Sequence, residues 1–431
     1  CTRQVDEKET KIRGANTEKI IMKYRDYQEE IISKGTDVIK KHGFVYLAME
    51  VRTGKTLTSF GICNKLGAKN VLFITKKKAI SSIKDDYKLL GPSFNINVIN
   101  YESLHKITVE DKFDFMILDE AHSMGKLKKP SVRARRVNML IGEKNPRVIL
   151  LSGTPTPESY SQMYHQVYGI PGNPFRKFKN FYRFCDEHVN VTQKPINGIY
   201  IKDYSKGRPS IMDAMQPYFI SYSQKEAGFK VKTKEKIMHV KMSSLTYNLA
   251  NKLKKDLVVE GNQQVILADT PVKLMMKLHQ IYSGTVKFES GSSQTLDLSK
   301  AKFICHSFKN KKIGIFYKFK EELKALKKVF NGSLTTELEE FVNSDKNIAL
   351  QIVSGREGIS LRQADCLVYY NIDFSATSYW QSRDRMTTKE RLNNNVFWVF
   401  SKGGIEDQIY KAVVNKKDYT LNHFKKDLLN L

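Results

Sequence analysis

The strongest constraint in this chain is a repeated alternation of short, nearly continuous apolar runs with stretches of helical spacing. Phe44–Met49, Val71–Ile74, Ile96–Ile99, Phe115–Leu118 and Val148–Leu151 form a first block of such runs. Ile313–Tyr317, Ile348–Val353, Cys366–Tyr370 and Val396–Phe400 form a second. Apolar residues at consecutive positions over four to six places are what strands buried on both faces require, and the helical stretches supply the crossovers that parallel pairing needs. The expected fold class is α/β, with two parallel-sheet lobes. Between the blocks the pattern loosens. Gly169–Pro174 carries turn chemistry, and the residues from there to about Lys236 are aromatic, basic and irregular. The organisation predicted is a charged lead-in over 1–23, a first lobe over 24–168, a basic and aromatic bridging insertion over 169–272, and a second lobe with C-terminal helices over 273–431. Within the insertion, Phe175–Phe184 alternates aromatic and basic residues at roughly helical spacing, which predicts an amphipathic helix packed on the first lobe.

Charge narrows the partner. Of the 431 residues 72 are Lys or Arg and 45 are Asp or Glu, so the formal net charge is 72 − 45 = +27. A field of that sign attracts polyanions, which makes nucleic acid the first expected partner. Hydrophobic residues at 41% and aromatic ones at 11% suffice for real cores, so a disordered chain is excluded. No apolar run approaches ~18 residues and no charged-then-apolar leader opens the sequence, so neither a membrane span nor a signal peptide is expected. The sequence begins at Cys1, which points to a truncated or processed product. The five cysteines (Cys1, Cys63, Cys185, Cys305 and Cys366) are scattered without CxxC pairs or nearby Cys/His groups, so no disulfide framework or zinc site is expected. The expected location is intracellular and cytoplasmic, in the host's cytoplasm were the chain viral.

Three segments carry chemistry. Gly54-Lys55-Thr56 follows the first buried strand and opens a helical stretch, the context of a phosphate-binding loop, although Met49 stands where the full motif has its first Gly. Backbone amides from Thr53 onward and the helix N-terminus would cradle phosphates, Lys55 would reach the β and γ groups, and the Thr56 hydroxyl would hold Mg²⁺. Asp119-Glu120-Ala121-His122 sits at the end of the run Phe115–Leu118. A carboxylate at the C-terminal edge of a parallel sheet can join a Mg²⁺ shell and a second can orient the attacking water, which assigns Asp119 to the metal and Glu120 to the water. Ser152-Gly153-Thr154-Pro155 ends the next strand, where the hydroxyls of Ser152 and Thr154 could bond to the acidic loop and report the γ-phosphate.

Together these segments resemble superfamily 2 helicases and translocases, and within them the SNF-type translocases, especially the compact stand-alone versions that phages carry. The resemblance runs from about Tyr24 to Tyr419 and implies two RecA-like lobes with an ATP cleft between them. Tyr24-Arg25-Asp26-Tyr27-Gln28 is similar to the family's upstream glutamine motif, in which Gln28 would read the adenine edge with Arg25 in support. Lys76, Lys77 and Lys78 after the second strand, Ser103 within Ile99–Leu104, and Arg133, Arg135 and Arg136 in the basic stretch Lys126–Arg136 look like backbone-contacting segments. Ile313–Tyr317 resembles motif IV, and Ser354–Leu361 resembles motif V, with Ser354 and Gly355 toward nucleic acid and Gly358 toward nucleotide. Gly403–Tyr410 resembles the closing helix. In motif VI, Gln381 would couple the lobes and one of Arg383 and Arg385 would neutralise charge on the transferring phosphoryl group. These two arginines are two apart, where the family usually has three, and Arg52 stands in the phosphate loop where small residues are usual. Trp380, beside that glutamine, is expected to pack rather than to stack on a base.

The resemblance implies ATP and Mg²⁺ as cofactors, His122 as a further coupling residue, and a motor on duplex or forked DNA. RNA is the alternative partner, and an RNA helicase or a nucleic-acid-binding protein with an inactive nucleotide site are the alternative readings. Phosphate contacts would give affinity without sequence reading, and binding should weaken steeply with salt.

Overall fold

The computed structural model describes residues 23–415 apart from 109, 158, 197–198, 262–263, 356–358 and 389–390. The chain separates into two compact units, 1–229 and 230–431.

In the first unit the apolar runs become β1 (Phe44–Met49), β2 (Asn70–Thr75), β3 (Asn95–Asn100), β4 (Phe115–Leu118) and β5 (Arg147–Leu151). They pair in the order β3-β2-β4-β5-β1, and Phe219–Tyr222 closes the far edge beside β1. Every pairing is parallel. Of the central strands β4 is buried along its whole length and β1 at every residue but Ala48, so each needs a cover on both faces. One face is covered by α1 (Asp26–His42) and α2 (Lys55–Lys65), whose Ile31, Ile32, Ile39, Phe60 and Ile62 meet Val45, Leu47 and Ile117. The other is covered by α4 (Val132–Lys144) and the aromatic segment that follows β5; α3 (Ile80–Leu90) lies between β2 and β3 in the chain. α1 shows why such helices form. Asp26 and Glu29 lie in its first turn, Lys40, Lys41 and His42 in its last, complementing the helix dipole, and Gly43 ends it in the left-handed conformation, φ 78°.

The second unit repeats the plan. Ile313–Tyr317, Leu334–Thr335, Asn347–Gln351, Cys366–Tyr369, Asn393–Ser401 and Lys232–Val240 make another six-stranded sheet. All its pairings are parallel too. The α/β expectation with two parallel sheets is met.

Three expectations need correction. The stretch 169–272 is not one bridge: Phe219–Tyr222 adds to the first sheet and Lys232–Val240 to the second. The helices Ser244–Asp256 and Pro271–Tyr282 help build the second core. The helix within Phe175–Phe184 begins only at Phe181, where Asn180 caps it by accepting from the amides of Tyr182 and Arg183. The packing expectation itself holds, since Phe175, Phe178, Phe181 and Phe184 are all buried in the first unit's core. Finally, the run Ile348–Val353 leaves the sheet after Gln351 and turns into the short helix Ile352–Gly355. The lead-in up to residue 22 lies outside the described residues, as does the C-terminal stretch from 416. Among the described residues no helix is long and apolar enough to cross a membrane.

Candidate nucleotide and nucleic-acid sites

The phosphate loop spans Glu50–Gly54, between the buried end of β1 and the start of α2. Its turn is closed by the Thr53 amide and hydroxyl, both donating to the Glu50 carbonyl, at 3.3 and 2.8 Å. Gly54 is the N-cap of α2 with φ 82° and no side chain to offer the first-turn amides, which leaves them for an anion. The conformation demands glycine, and a Cβ there, 2.3 Å from Gln28 Nε2, would also push that side chain aside. Lys55 Nζ donates to the Met49 and Glu50 carbonyls at 2.9 and 3.1 Å, which holds its ammonium over the end of β1. Thr56 follows on the first turn, half-buried.

Gln28 lies beneath this loop. It is 3% exposed; its Oε1 accepts from the Arg25 amide at 3.0 Å and its Nε2 donates to the Gly54 carbonyl at 3.3 Å. Arg25 reaches Tyr27 Oη at 3.2 Å, and Tyr27 Oη donates to the Thr53 carbonyl at 3.1 Å. The upstream glutamine segment thus supports the phosphate loop from below.

The acidic tetrad follows β4, two strands across from β1. Asp119 Oδ2 accepts from the Thr75 hydroxyl at 2.7 Å, and its carbonyl accepts from Tyr101 Oη at 2.7 Å. Burial and then the neighbouring Glu120 carboxylate push the Asp119 pKa up to about 6, against lowering by the Thr75 hydroxyl and Lys55. Glu120 adopts the left-handed conformation, φ 50°, a strained position for a non-glycine residue at a site where such strain is often functional. Its Oε2 lies 3.2 Å from His122 Nδ1, and the same nitrogen lies 3.0 Å from Ser152 Oγ. The Ser152 hydroxyl in turn accepts from the Thr154 amide at 3.1 Å. Gln166 holds the Pro155 carbonyl through Nε2 at 2.8 Å and accepts from Tyr46 Oη at 2.7 Å. The segment after β5 is therefore connected to Glu120 through His122. The donor set of Thr56 and Asp119 is all oxygen, which suits a hard divalent cation. No group of three or more His, Cys, Asp or Glu fit for a metal occurs among the described residues.

The expected nucleic-acid residues of the first unit fall into different environments. Lys77 and Lys78 are exposed, with Lys76 half-buried at the end of β2 and Ser103 half-buried in the turn Tyr101–Lys106. Arg133 pairs with Glu102 and lies over the Tyr101 ring, 5.4 Å to its centroid. Arg136 donates to the Leu104 and Ile107 carbonyls, both at 3.4 Å. Arg135 is exposed and helps line an open cavity of about 470 Å³ with Lys126, Lys128, Lys129 and Tyr182.

In the second unit Gly355 is packed closely enough that a Cβ would meet Leu350 at 2.8 Å. Ser354 lies beside it on the helix Ile352–Gly355, and Gly358 lies outside the described residues. Gln381 is buried on the helix Ala376–Arg383. Arg385 is 7% exposed; it donates from Nε to the Gln381 carbonyl at 3.0 Å and from a terminal nitrogen to the Ile359 carbonyl at 3.4 Å. Arg383 pairs with Glu235 at 2.8 Å and lies over the Trp380 ring at 4.1 Å. Trp380 packs on the second core and donates to the Val413 carbonyl at 3.2 Å, as expected.

Sequence reasoning missed Thr75, Tyr101 and Glu235, each of which holds an expected site residue, and Gln166, which holds the Pro155 carbonyl beside Thr154. Thr75 alone carried a usable signal, as a hydroxyl at the C-terminal end of a buried strand.

A family model described as the SNF2-related domain matches residues 51–287. Among curated proteins, the SWI/SNF-related matrix-associated actin-dependent regulator of chromatin subfamily A-like protein 1 of Xenopus tropicalis is 30% identical over 94 residues, and that of Xenopus laevis 31% over 94. The matched stretch is 21% of this chain and only 10% of each of those proteins. Among solved structures, the Sulfolobus solfataricus SWI2/SNF2 ATPase core in complex with dsDNA is 15% identical, with 95% of this chain and 93% of that one covered and a TM-score of 0.42. The Sulfolobus solfataricus SWI2/SNF2 ATPase core domain is also 15% identical, with 95% and 92% covered and a TM-score of 0.40.

Proposed function

The chain belongs to the SNF2-related domain family, and from that membership we propose that it is an ATP-dependent motor that moves along duplex or forked DNA. The observation that supports this most is the convergence of charge at one sheet edge. Lys55 follows β1, Asp119 and Glu120 follow β4, and the Lys55 ammonium acts on the Asp119 carboxyl.

In this reading the amides at the start of α2 and Lys55 bind the phosphates of ATP. Thr56 and Asp119 would hold Mg²⁺, which when bound supplies neutralisation of phosphate charge. Glu120 orients the attacking water, and His122 holds Glu120 while its contact with Ser152 passes the state of the acidic loop to the segment after β5. Gln28 keeps the loop in place from beneath and is the candidate for the adenine edge, with Arg25. Arg383 and Arg385 are the candidate cations for the transferring phosphoryl group. Lys76, Lys77, Lys78, Ser103, Arg133, Arg135, Ser354 and Gly355 are the candidate backbone contacts and Gly358 a candidate toward nucleotide; Arg136, expected among the backbone contacts, is held by the Leu104 and Ile107 carbonyls and is not proposed as one.

The test is ATP turnover measured against forked, duplex and single-stranded DNA and RNA. Turnover should rise on adding duplex or forked DNA, and Lys55→Ala and Glu120→Gln should each lower it by about 10²-fold or more, as expected when a group acting on the transition state is removed. Hydrolysis equally fast with and without nucleic acid would overturn the motor reading, and stimulation by RNA alone would move the substrate to RNA.

A further inference from the structure

The chain leaves the first unit from directly behind its phosphate loop. The strand Phe219–Tyr222 pairs in parallel with β1, from Tyr46 opposite Phe219 to Met49 opposite Tyr222, so the two strands end level and the segments after them run side by side. The Glu50 amide extends this ladder by donating to the Tyr222 carbonyl at 2.9 Å. Gln224 then holds the loop twice. Its amide donates to Glu50 Oε2 at 2.7 Å and its Nε2 donates to the Val51 carbonyl at 2.8 Å. Two residues further along the loop, Tyr27 Oη holds the Thr53 carbonyl, and the Tyr27 ring stacks on Tyr222 with centroids 4.7 Å apart and planes at 14°.

Between the two held carbonyls stands Arg52, with φ 67°. A non-glycine residue keeps that conformation only where its surroundings fix it, and here contacts act on the residues either side. Beyond Gln224 the chain folds into a compact turn. Ser223 donates to Glu226 Oε2 from its amide at 2.7 Å and from its hydroxyl at 2.6 Å, and the Phe229 amide returns to the Gln224 carbonyl at 2.9 Å. Ala227 and Phe229 are buried, and the first unit ends at Phe229.

We infer that Gln224 is a positioning residue of the nucleotide site, which links the phosphate loop to the turn 223–229 through which the chain leaves the first unit. The inference rests on the nucleotide-binding role proposed above. Phosphates entering among the loop amides act on the backbone of residues 51–54. Because the Val51 carbonyl and the Glu50 carboxylate both accept from Gln224, a shift or stiffening of the loop is carried to the turn instead of being lost to solvent. The same side chain keeps Arg52 in the conformation that presents the loop.

The test uses the full chain. Gln224→Leu removes the Nε2 donor and keeps the amide bond to Glu50, and Gln224→Glu keeps the length while replacing the donor by an acceptor. Each should raise the KM for ATP about 5–10-fold with a much smaller change in kcat, the effect of losing a hydrogen bond that shapes binding. Hydrogen exchange with a non-hydrolysable ATP analogue should show added protection of residues 223–229 in the wild type and its loss in both variants. Lys225→Ala, on the same turn but outside the contacts described, should leave both readouts unchanged. Absence of nucleotide-dependent protection in an ATP-hydrolysing wild type would overturn the inference alone, as would variants with an unaltered KM. A wild type that binds no nucleotide would take down this inference and the reading it rests on together.

Discussion

The C-terminal edges of the two parallel sheets handle charge in opposite ways. In the first unit Lys55 donates to two backbone carbonyls and acts on the Asp119 carboxyl, which also accepts from the Thr75 hydroxyl. In the second unit Lys318 pairs with Asp373 at 2.7 Å and Lys300 with Glu406 at 2.7 Å at that edge, and Arg383 pairs with Glu235, within the strand Lys232–Val240, at 2.8 Å. In the first unit's site His122 stands between Glu120 and Ser152. One plan of six parallel strands therefore supports both an edge that gathers Lys55, Asp119 and Glu120 beside a glycine-capped helix start and an edge whose charges chiefly fix its own helices. A charged residue in a familiar motif can belong to either kind, and its partner decides which.

The largest expected effect breaks the pair that is buried most deeply. Lys300 and Glu406 have no exposed side-chain surface, and they join the helices Ser299–Ser307 and Glu406–Val414, with Lys300 also donating to the Tyr370 carbonyl at 3.2 Å. Lys300→Met leaves the carboxylate buried without its cation and should cost about 3–5 kcal/mol in denaturant unfolding. Lys55→Ala, at a partly open loop, removes its bonds to two backbone carbonyls and its attraction for the Asp119 carboxyl, and should cost less, about 1 kcal/mol, by the same measurement. Equal losses would remove the distinction between the two edges.

A smaller effect is expected at Glu235. This carboxylate accepts from Arg383, Tyr379 Oη and Trp398 Nε1, each at 2.8 Å, and from Tyr410 Oη at 3.1 Å. Glu235→Gln and Arg383→Gln should each destabilise the chain by about 1–3 kcal/mol, and the double variant should fall short of their sum by about 1 kcal/mol or more. An additive cycle would mean that Arg383 owes little to Glu235 and resembles Lys55 more than Lys300. In that event Arg383 would gain on Arg385 as the cation for phosphoryl transfer, since Arg385 ties the Gln381 and Ile359 carbonyls together.

The difference between the edges also explains what could be read from sequence. Strands covered on both faces announce themselves as apolar runs, and Phe44–Met49, Phe115–Leu118 and Ile313–Tyr317 begin and end where those runs do. The sheet margins do not: Lys232–Val240 has five charged or polar residues in its first five and sits at an edge, so its sequence has the look of a basic bridge. The phosphate loop and the acidic tetrad are each a contiguous segment, so their chemistry is visible in sequence. Gln224 reaches Val51 across 173 positions and Arg383 reaches Glu235 across 148, through strand neighbours that no local pattern announces. Spacing names the charged groups, and only strand order names what neutralises them.

The smallest expected effect extends the same distinction to the three arginines of α4. Arg133 is already paired with Glu102, Arg136 is turned onto the carbonyls of Leu104 and Ile107, and Arg135 faces the open basic cavity with Lys126, Lys128 and Lys129. A cation that contacts a DNA phosphate releases counterions, and each such contact steepens the dependence of log affinity on log salt by about 0.9. Arg135→Gln should therefore flatten the salt dependence of duplex binding by roughly one contact while leaving the unfolding midpoint in place, because exposed charges contribute about 0–1 kcal/mol to stability. Arg136→Gln should do the reverse, lowering stability slightly and leaving the salt slope unchanged. Were the two to change places, with Arg136 setting the slope and Arg135 the stability, internal partnering would fail as a guide to which cations serve a ligand, and the contrast between the sheet edges would lose its general force.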